Sequence, residues 1–518
     1  MKKLLLLLSL CLPVLVFSQP EVLWLLSGGL QPNSAAFRVK TSTSCDSVRV
    51  YISTTNPPSA PYIVSTLGIA NSSNDFNAAC LANGLTEGTD YYYVAKLNNT
   101  IDNSADDIGH FRTPRRGPYS FSFVTGSCNR FPDSKTFQDF RTYNPDFYLS
   151  PGDLHYVNPN SSDVNVHRAA YDSSVFNWPD QAEAYRNMGF AYVWDDHDYC
   201  GNDANGRALP GAQSARQAYK EFIPHYPLYA DSSIYQSFDY GRVKFILSDL
   251  RGERVKGTTA MGLTQKAWFK QQCLNARNNN MMICWVSSYS WYGILSDNWG
   301  GDPNERKELA DFFLDSSIAN IFIVSGDAHM LCVDDGRNGY LNSTGNTKYN
   351  YPVLQAAPIQ NNGSWKGGTY NQGQFLNILA VNSQYAVVTV DDDGGDSICI
   401  TFDGYRKDIT SGSTTKLLSY SFCRSLVPTN DTLISLTSEP ELAQVELFPN
   451  PVENKLFVKT SLPQQNLWYG IYNTSGKLVM KGELNKDFIS TETLPAADYI
   501  FLFGDNTKVL GKSKFTKR

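Results

Sequence analysis

The chain contains no basic tract. Its 518 residues carry 44 Lys+Arg against 50 Asp+Glu, a formal net charge of −6. Nowhere do the cations gather into a run that tracks a phosphate backbone, which argues against nonspecific nucleic-acid binding. Long apolar runs are also missing, except at the start. There Leu4 to Phe17 follows Lys2 and Lys3 and ends near Ser18, the pattern of a secretory signal peptide cut after Ser18. That run is short for a bilayer span, and no other stretch is long and apolar enough. The expected mature protein is exported, does not span a membrane, and without Lys2 and Lys3 carries −8. EF-hand spacing is absent as well. The acid run Asp391-Asp392-Asp393-Gly394-Gly395-Asp396 lies between two strand patterns and reads as a solvated hairpin turn. An acidic protein that handles phosphate must find local positive charge elsewhere, and bound metal ions are the obvious source.

Of ten cysteines, Cys11 leaves with the signal and nine remain. In an oxidising compartment an odd count leaves one thiol over, and Cys128 is the candidate because it lies in a chemical motif. Cys45 with Cys80, Cys273 with Cys284 and Cys399 with Cys423 are expected pairs, although spacing does not fix connectivity. Histidine is scarce, at six residues. His197 and His329 fall in patterned segments, His155 lies inside another as a group that supports the ligands, and His110, His167 and His225 have no motif.

Residues 19–115 read as a β-sandwich of short alternating segments, with Leu85-Thr86-Glu87-Gly88-Thr89-Asp90-Tyr91 resembling the E–F corner of a fibronectin type III domain. Residues 116–426 alternate strand and helix patterns, which argues for an α/β core. Two helices are well signalled. One begins at Asp302-Pro303-Asn304-Glu305 with Leu309, Phe312, Phe313 and Leu314 as its apolar face; the other begins at Leu263-Thr264-Gln265 with Trp268, Phe269 and Cys273 on one side. Residues 427–440, rich in Thr, Ser, Pro and Asn, read as a linker. Residues 441–518 form a small all-β unit with ten Lys+Arg and eight Asp+Glu, so it carries about +2 and the rest of the mature chain about −10.

Four segments carry the chemistry: Gly126-Ser127-Cys128-Asn129-Arg130, Gly152-Asp153-Leu154-His155-Tyr156, Trp194-Asp195-Asp196-His197-Asp198 and Gly326-Asp327-Ala328-His329. Each follows an apolar, strand-like run, so each is a strand end bearing ligand-type side chains, and such ends converge only if the strands share a sheet. Hydrolysis of a phosphate ester with two metals needs a bridging carboxylate, hard oxygen ligands and a metal-bound hydroxide in line with the leaving group. Asp153 suits the bridge. Tyr156, three residues on, can point back to the same ion, but a phenol loses its proton near neutral pH only beside a strong Lewis acid such as Fe(III). A thiolate at Cys128 favours iron or zinc over calcium or magnesium. Asp327 and His329 share a face at an extended strand end, and Asn202 offers a neutral oxygen. Three acids around His197 are expected to raise its pKa, suiting it to protonate a leaving oxygen. Taken singly, each segment also reads as a buried thiol, a turn or a solvated acid run.

Together and in this order, the four segments resemble PhoD-like alkaline phosphatases, a branch of the calcineurin-like metallophosphoesterases. Further matches are Arg216-Gln217-Ala218-Tyr219-Lys220-Glu221-Phe222-Ile223-Pro224, Leu247-Ser248-Asp249-Leu250-Arg251 and Trp299-Gly300-Gly301-Asp302-Pro303-Asn304-Glu305-Arg306. The resemblance implies a four-layer αββα core holding Fe(III) and calcium, with zinc or manganese as alternatives. It places Cys128, Asp153 and Tyr156 on iron, and Asp196, Asn202, Asp327 and His329 around the cluster. His197 and Arg251 would face the phosphate, with Trp299 on the substrate side. Departures are Asp198 where glutamate is common, Cys200, Gly201-Asn202 for an Asn-Asn pair, and Asp302 for a tyrosine.

The tail resembles the C-terminal sorting domain of type IX secretion substrates through Leu447-Phe448-Pro449-Asn450-Pro451, Ile471-Tyr472-Asn473-Thr474-Ser475-Gly476, Leu494-Pro495-Ala496-Ala497-Asp498-Tyr499 and Lys514-Phe515-Thr516-Lys517. This implies export across the periplasm and outer membrane by the type IX machinery, then removal of the tail and surface attachment or release. The expected protein is a secreted phosphodiesterase. Its rivals are a surface-binding protein that keeps an inactive fold, and an exported nuclease.

Overall fold

A computed structural model of the chain describes residues 19–427 and 445–518, apart from short stretches at 99, 102–107, 132–134, 294–295, 339–349, 365, 367, 369, 378–381, 461–466, 475–477, 485–487 and 505–508. The signal peptide, and all of the expected linker but its first residue, lie outside the described residues.

Two sheets form the centre. In the first, strands Phe121–Thr125, Phe147–Ser150 and Gly189–Tyr192 run parallel, and the long antiparallel strands Asn382–Asp391, Ser397–Asp408 and Thr414–Ser425 extend one side. In the second, Val243–Leu247, Met282–Ser287 and Ile321–Ser325 run parallel. The central strands of the second sheet are apolar on both faces, as strands covered on two sides must be. Phe245, Cys284, Val286, Phe322 and Val324 join the core between the sheets, while Ile246, Ile283, Trp285, Ile321 and Ile323 face the opposite way.

Aromatic packing closes each layer. Phe123 stacks on Phe147 at 5.1 Å, and both meet Phe245 of the other sheet edge-on at 5.5 and 5.4 Å. On the outer face of the second sheet, Phe269 of helix Gly262–Asn278 and Phe313 of helix Pro303–Asp315 pack on Trp285. On the outer face of the first, Tyr148 packs on Phe140 and Tyr185 of helices Thr136–Thr142 and Pro179–Arg186. Both well-signalled helices form, but the expected capping pattern is put to other use. The Asp302 carboxylate accepts from Arg254 Nε at 3.0 Å and Gly257 N at 2.9 Å, and Glu305 accepts from Thr259 Oγ1 at 2.8 Å, tying the helix start to a loop. Proline at the first helical position remains.

The boundary expected at residue 115 is crossed by the first sheet. Strands Val22–Gln31, Ser34–Thr41 and Asn77–Asn83 extend it, with Gly28 paired to Phe190. A second sheet built on Cys45–Ser53 and Asp90–Leu97 packs against these strands over its own core. Tyr91 Oη accepts from Thr86 N at 2.9 Å, anchoring the corner between them. Cys399 and Cys423 are bonded across paired strands. The other two expected bridges are absent. Cys45 and Cys80 belong to different sheets, and their sulfurs face Ser47 O and Val48 O. Cys273 and Cys284 lie on opposite faces of the second sheet. The acidic turn closes on itself, with Gly394 N and Gly395 N donating to Asp392 and Asp393, and Arg242 engages Asp392.

Phe245 is the residue on which both sheets rest, so Phe245→Ala should cost about 3–5 kcal/mol. The check is the shift in a urea denaturation midpoint; a loss below about 1 kcal/mol would mean the sheets do not depend on this ring.

Candidate metal centre

The parallel strands of both sheets end on the same side of the molecule, and the ligand-type residues occupy the turns just beyond them. Cys128 follows the strand Phe121–Thr125, Asp153 follows Phe147–Ser150, Asp196 follows Gly189–Tyr192, and Asp327 with His329 follow Ile321–Ser325. Four of these residues hold backbone dihedrals that side chains rarely adopt: φ is +61° at Cys128, +54° at Asp153, +62° at Asp327 and +45° at His329. Such conformations cost on the order of 1–3 kcal/mol each and persist only where the surroundings over-determine them. The glycine of each Gly-Asp pair is required for space. A Cβ on Gly152 would stand 2.6 Å from Asp195 Cβ, and one on Gly326 2.7 Å from Ser127 Oγ.

The side chains converge into overlapping groups. Ligand atoms of Cys128, Asp153 and His329 lie within 4.8 Å of one another, as do those of Asp153, Asp196 and His197, of Asp153, Asp195, Asp196 and Asp327, and of Asp196, Asp203 and Asp297. Asp153 and Asp196 each belong to three of these groups, the position a bridging carboxylate needs. Asp203 and Asp297 are not expected from sequence; the signal available is their place just outside marked stretches, Asp203 directly after Asn202 and Asp297 two residues before Trp299.

Hydrogen bonding defines the proton inventory. His329 Nδ1 donates to Asn362 O at 2.6 Å, so its Nε2 turns a lone pair inward, 2.8 Å from Tyr156 Oη. Tyr156 Oη donates to Asp153 Oδ2 at 2.7 Å. One phenolic proton thus serves two acceptors. Asp153 Oδ1 and Asp327 Oδ2 are buried without a hydrogen-bond partner among the described residues. Burial, reinforced by neighbouring carboxylates, pushes the Cys128 thiol and the Asp153 carboxyl well above their ordinary values, and Tyr156 likewise. A buried set of mutually repelling donors with two orphaned carboxylate oxygens fits cation ligation.

The three acids and one histidine of the third segment separate by role. Asp195 forms a bidentate pair with Arg251, with Asp195 Oδ2 3.0 Å from Nη2, and also accepts from Ser288 Oγ at 2.8 Å. Asp198 turns back to the chain, accepting from His155 N at 3.0 Å and Asp195 N at 3.2 Å. Asp196 faces the centre; burial raises its pKa, but Arg251 and His197 outweigh burial and hold it below the usual range. His197 departs from expectation. Burial outweighs Asp196 and lowers its pKa, so the imidazole is neutral. Nδ1 lies 2.6 Å from Asn158 Oδ1, and the ring stacks at 4.0 Å on Tyr156. His155 is buried and neutral, pushed down to about 3 by burial, and touches Asp198 rather than the centre.

Two further sequence readings are corrected. Arg251 does not face the cavity: it is 0% exposed, its guanidinium is taken up by Asp195 and by Asp297 at 2.8 Å, and it lies over the Tyr289 ring. Trp299 is also 0% exposed, donating to Ser287 Oγ at 3.0 Å among Trp285, Trp291 and Tyr289. Arg251 follows a strand end and Trp299 opens the short helical turn before helix Pro303–Asp315, and both side chains turn into the core. Outside the tail, the described cations that do line the cavity are Arg130 and Lys366; Lys481 of the tail lines it too. Lys366 Nζ sits 2.7 Å from Asp297 Oδ2 and 2.6 Å from Asp327 Oδ1. No strand precedes Lys366, so no periodic signal marked it. Tyr156, His197, Asn202 and His329 line the same cavity, of about 670 Å³.

Comparison with known proteins bears on the fold that carries this site. The family model described as PhoD-like phosphatase matches residues 123–349, and that of the secretion system C-terminal sorting domain matches residues 446–513. The chain therefore carries a PhoD-like phosphatase domain followed by a sorting domain. Alkaline phosphatase D of Bacillus subtilis is 22% identical over 309 residues, which span 48% of this chain and about half, 52%, of that protein. Among solved structures, one described as the structure of PhoD superposes with a TM-score of 0.62 at 14% identity, covering 80% of this chain and 92% of that one. Purple acid phosphatase PPD1 from yellow lupin (Lupinus luteus) seeds superposes with a TM-score of 0.51 at 13% identity, covering 79% and 74%. These likenesses show a shared fold.

The Arg251 pairing gives a direct test. Arg251→Ala leaves Asp195 and Asp297 buried beside each other without their shared counter-charge, and removing one partner of a buried pair costs about 3–5 kcal/mol. Thermal melting should show the loss. A variant with an unchanged midpoint but weakened phosphate binding would return Arg251 to the substrate side.

Proposed function

We propose that the chain is an exported, metal-dependent phosphoesterase that hydrolyses phosphodiesters. The observation that carries this reading is the convergence of Cys128, Tyr156 and His329 on one side of Asp153 and of Asp196, Asp203, Asp297 and Asp327 on the other, beside a cavity that Tyr156, His197, Asp203 and His329 line. The first set, with a thiolate, a phenolate and an imidazole, suits Fe(III). The second, all oxygen and joined by Asn202 at the rim, suits calcium. When bound there, the ions supply Lewis-acid polarisation of the phosphoryl oxygens and activate water.

The chain's own residues do the rest. Asp153 and Asp196 fix the spacing between the two sets. Arg251, held by Asp195 and Asp297, positions the loop that carries Asp196. His197 meets the substrate as a neutral imidazole: with its Nδ1 proton committed to Asn158, Nε2 offers a lone pair that takes up a proton from solvent water and delivers it to the leaving oxygen. With the tail removed, Arg130 is the described cavity cation left for a phosphate oxygen, because Lys366 is shared by two carboxylates and Lys481 leaves with the tail. One unshared cation fits a diester, which carries a single negative charge, better than a dianionic terminal phosphate.

The sorting domain supports export through the type IX system to the cell surface or beyond, and no helix among the described residues is long and apolar enough to cross a membrane.

Elemental analysis of protein purified without chelator should find about one iron with calcium per chain, together with a visible phenolate-to-iron band. Asp153→Ala should empty the centre and lower phosphodiester hydrolysis by more than about a hundredfold, since even groups that only support ligands cost 10–100-fold. Folded protein without metal, or an Asp153→Ala chain with undiminished turnover, would overturn the reading. Zinc or manganese in place of iron would keep the phosphoesterase and remove the phenolate assignment of Tyr156.

A further inference from the structure

The tail is a small β unit whose four-stranded sheet runs in the order Leu478–Glu483, Trp468–Asn473, Ala497–Gly504, Val509–Lys517. Successive strand residues point to opposite faces. One face, with Tyr469, Ile471, Met480, Tyr499, Phe501 and Phe503, packs into the tail's own core. An antiparallel sheet that covers one core normally turns polar residues outward. Here the other face carries Trp468, Tyr472, Leu478, Ile500 and Leu502, which join the apolar cluster of the phosphatase domain together with Tyr370 and Leu376. Lys512, paired with Leu502, shares that face, and burial pushes its ammonium down to about 8.

That interface falls at the mouth of the proposed active site. Tyr472, Leu478 and Lys481 line the same cavity as His197, Lys366 and His329. Tyr472 is only 2% exposed. The strand Val509–Lys517 also lies against Gly373–Leu376, the strand next to the cavity wall. The tail therefore stands across the route by which a phosphate ester would reach the metal centre.

We propose that the outer face of the sorting domain and the rim of the phosphatase cavity form a specific intramolecular interface that keeps the site covered in the full chain, and that separating the tail opens it. This rests on reading the cavity as a phosphoesterase site. The occupant is the tail itself, through the apolar ridge of Tyr472, Leu478, Ile500 and Leu502. Its net charge of about +2 against about −10 for the remainder adds long-range attraction. If the covered form outweighs the open one by 10:1 to 100:1, apparent affinity for any entering ligand falls by about the same factor.

The test places a specific protease site between residues 428 and 444 of the otherwise intact chain. The two pieces are resolved after cutting by ion exchange. Two readouts are taken before and after: inorganic phosphate binding by calorimetry, and kcat/KM on a bulky phosphodiester. Separation of the tail should tighten phosphate binding and raise kcat/KM, each by about 10- to 100-fold. The uncut double variant Tyr472→Asp, Leu478→Asp should reproduce both changes, and Lys481→Glu offers a milder change at the rim if that variant misfolds. Equal phosphate binding and equal kcat/KM with and without the tail would overturn the covered-site proposal while leaving the phosphoesterase reading intact. Tighter phosphate binding after cutting, with no hydrolysis in either form, would uphold the interface and overturn the phosphoesterase reading.

Discussion

Repulsion among carboxylates is the constraint around which this molecule is arranged. Asp153, Asp195, Asp196, Asp297 and Asp327 lie in a space where neighbouring ligand atoms come within 4.8 Å, and all five are nearly inaccessible to solvent. At an effective dielectric near 20, two like charges about 4 Å apart repel by ~4 kcal/mol. Arg251 and Lys366 offset part of this, and their influence reaches Asp297, which they hold well below the usual carboxylate range against burial. Asp153 and Asp327 are instead driven up. Asp153 Oδ1 and Asp327 Oδ2, without a hydrogen-bond partner among the described residues, are where a cation would relieve that repulsion.

The sheets bring these charges together because their parallel strands share a direction. A single parallel sheet delivers ligands along a line. Two sheets packed through Phe123, Phe147 and Phe245 deliver them from two sides, so residues nearly 200 apart in sequence, such as Cys128 and Asp327, meet. The φ values at Cys128, Asp153, Asp327 and His329 aim the side chains inward from turns that would otherwise splay. Packing between the sheets is therefore what sustains the strained turns.

The strand-end pattern made the centre legible in the sequence. Cys128, Asp153, Tyr156, Asp196, Asp327 and His329 each follow an apolar run, and each arrives at one place. What the pattern does not encode is the direction in which a side chain turns after the strand ends. Arg251 follows the same kind of signal, and Trp299 a helix-start signal, yet both point into the core, because Asp195 and Ser287 offer buried partners. His197 is neutral because it is buried, and of the three acids that adjoin it in sequence Asp195 and Asp198 face Arg251 and backbone amides. Lys366 lies in a segment with no periodic signal, and the alternation of the tail strands does not say what their outer face meets, so only the three-dimensional arrangement reveals these. The sheet shared with the N-terminal strands was hidden too, since a composition shift near residue 115 marks a change of pattern and not a break in hydrogen bonding.

That shared sheet decides how the protein can be divided. The strand Val22–Gln31 covers the flank of Gly189–Tyr192, the strand that leads directly into Asp195 and Asp196. A shortened chain that began after residue 115 would present that flank as a bare row of amides and carbonyls, a template for pairing with a second molecule. The N-terminal strands thus act as a permanent guard on the most chemically important strand. A gene fusion or a shortened form built from this chain has its natural seam before Val22, not at the apparent domain junction.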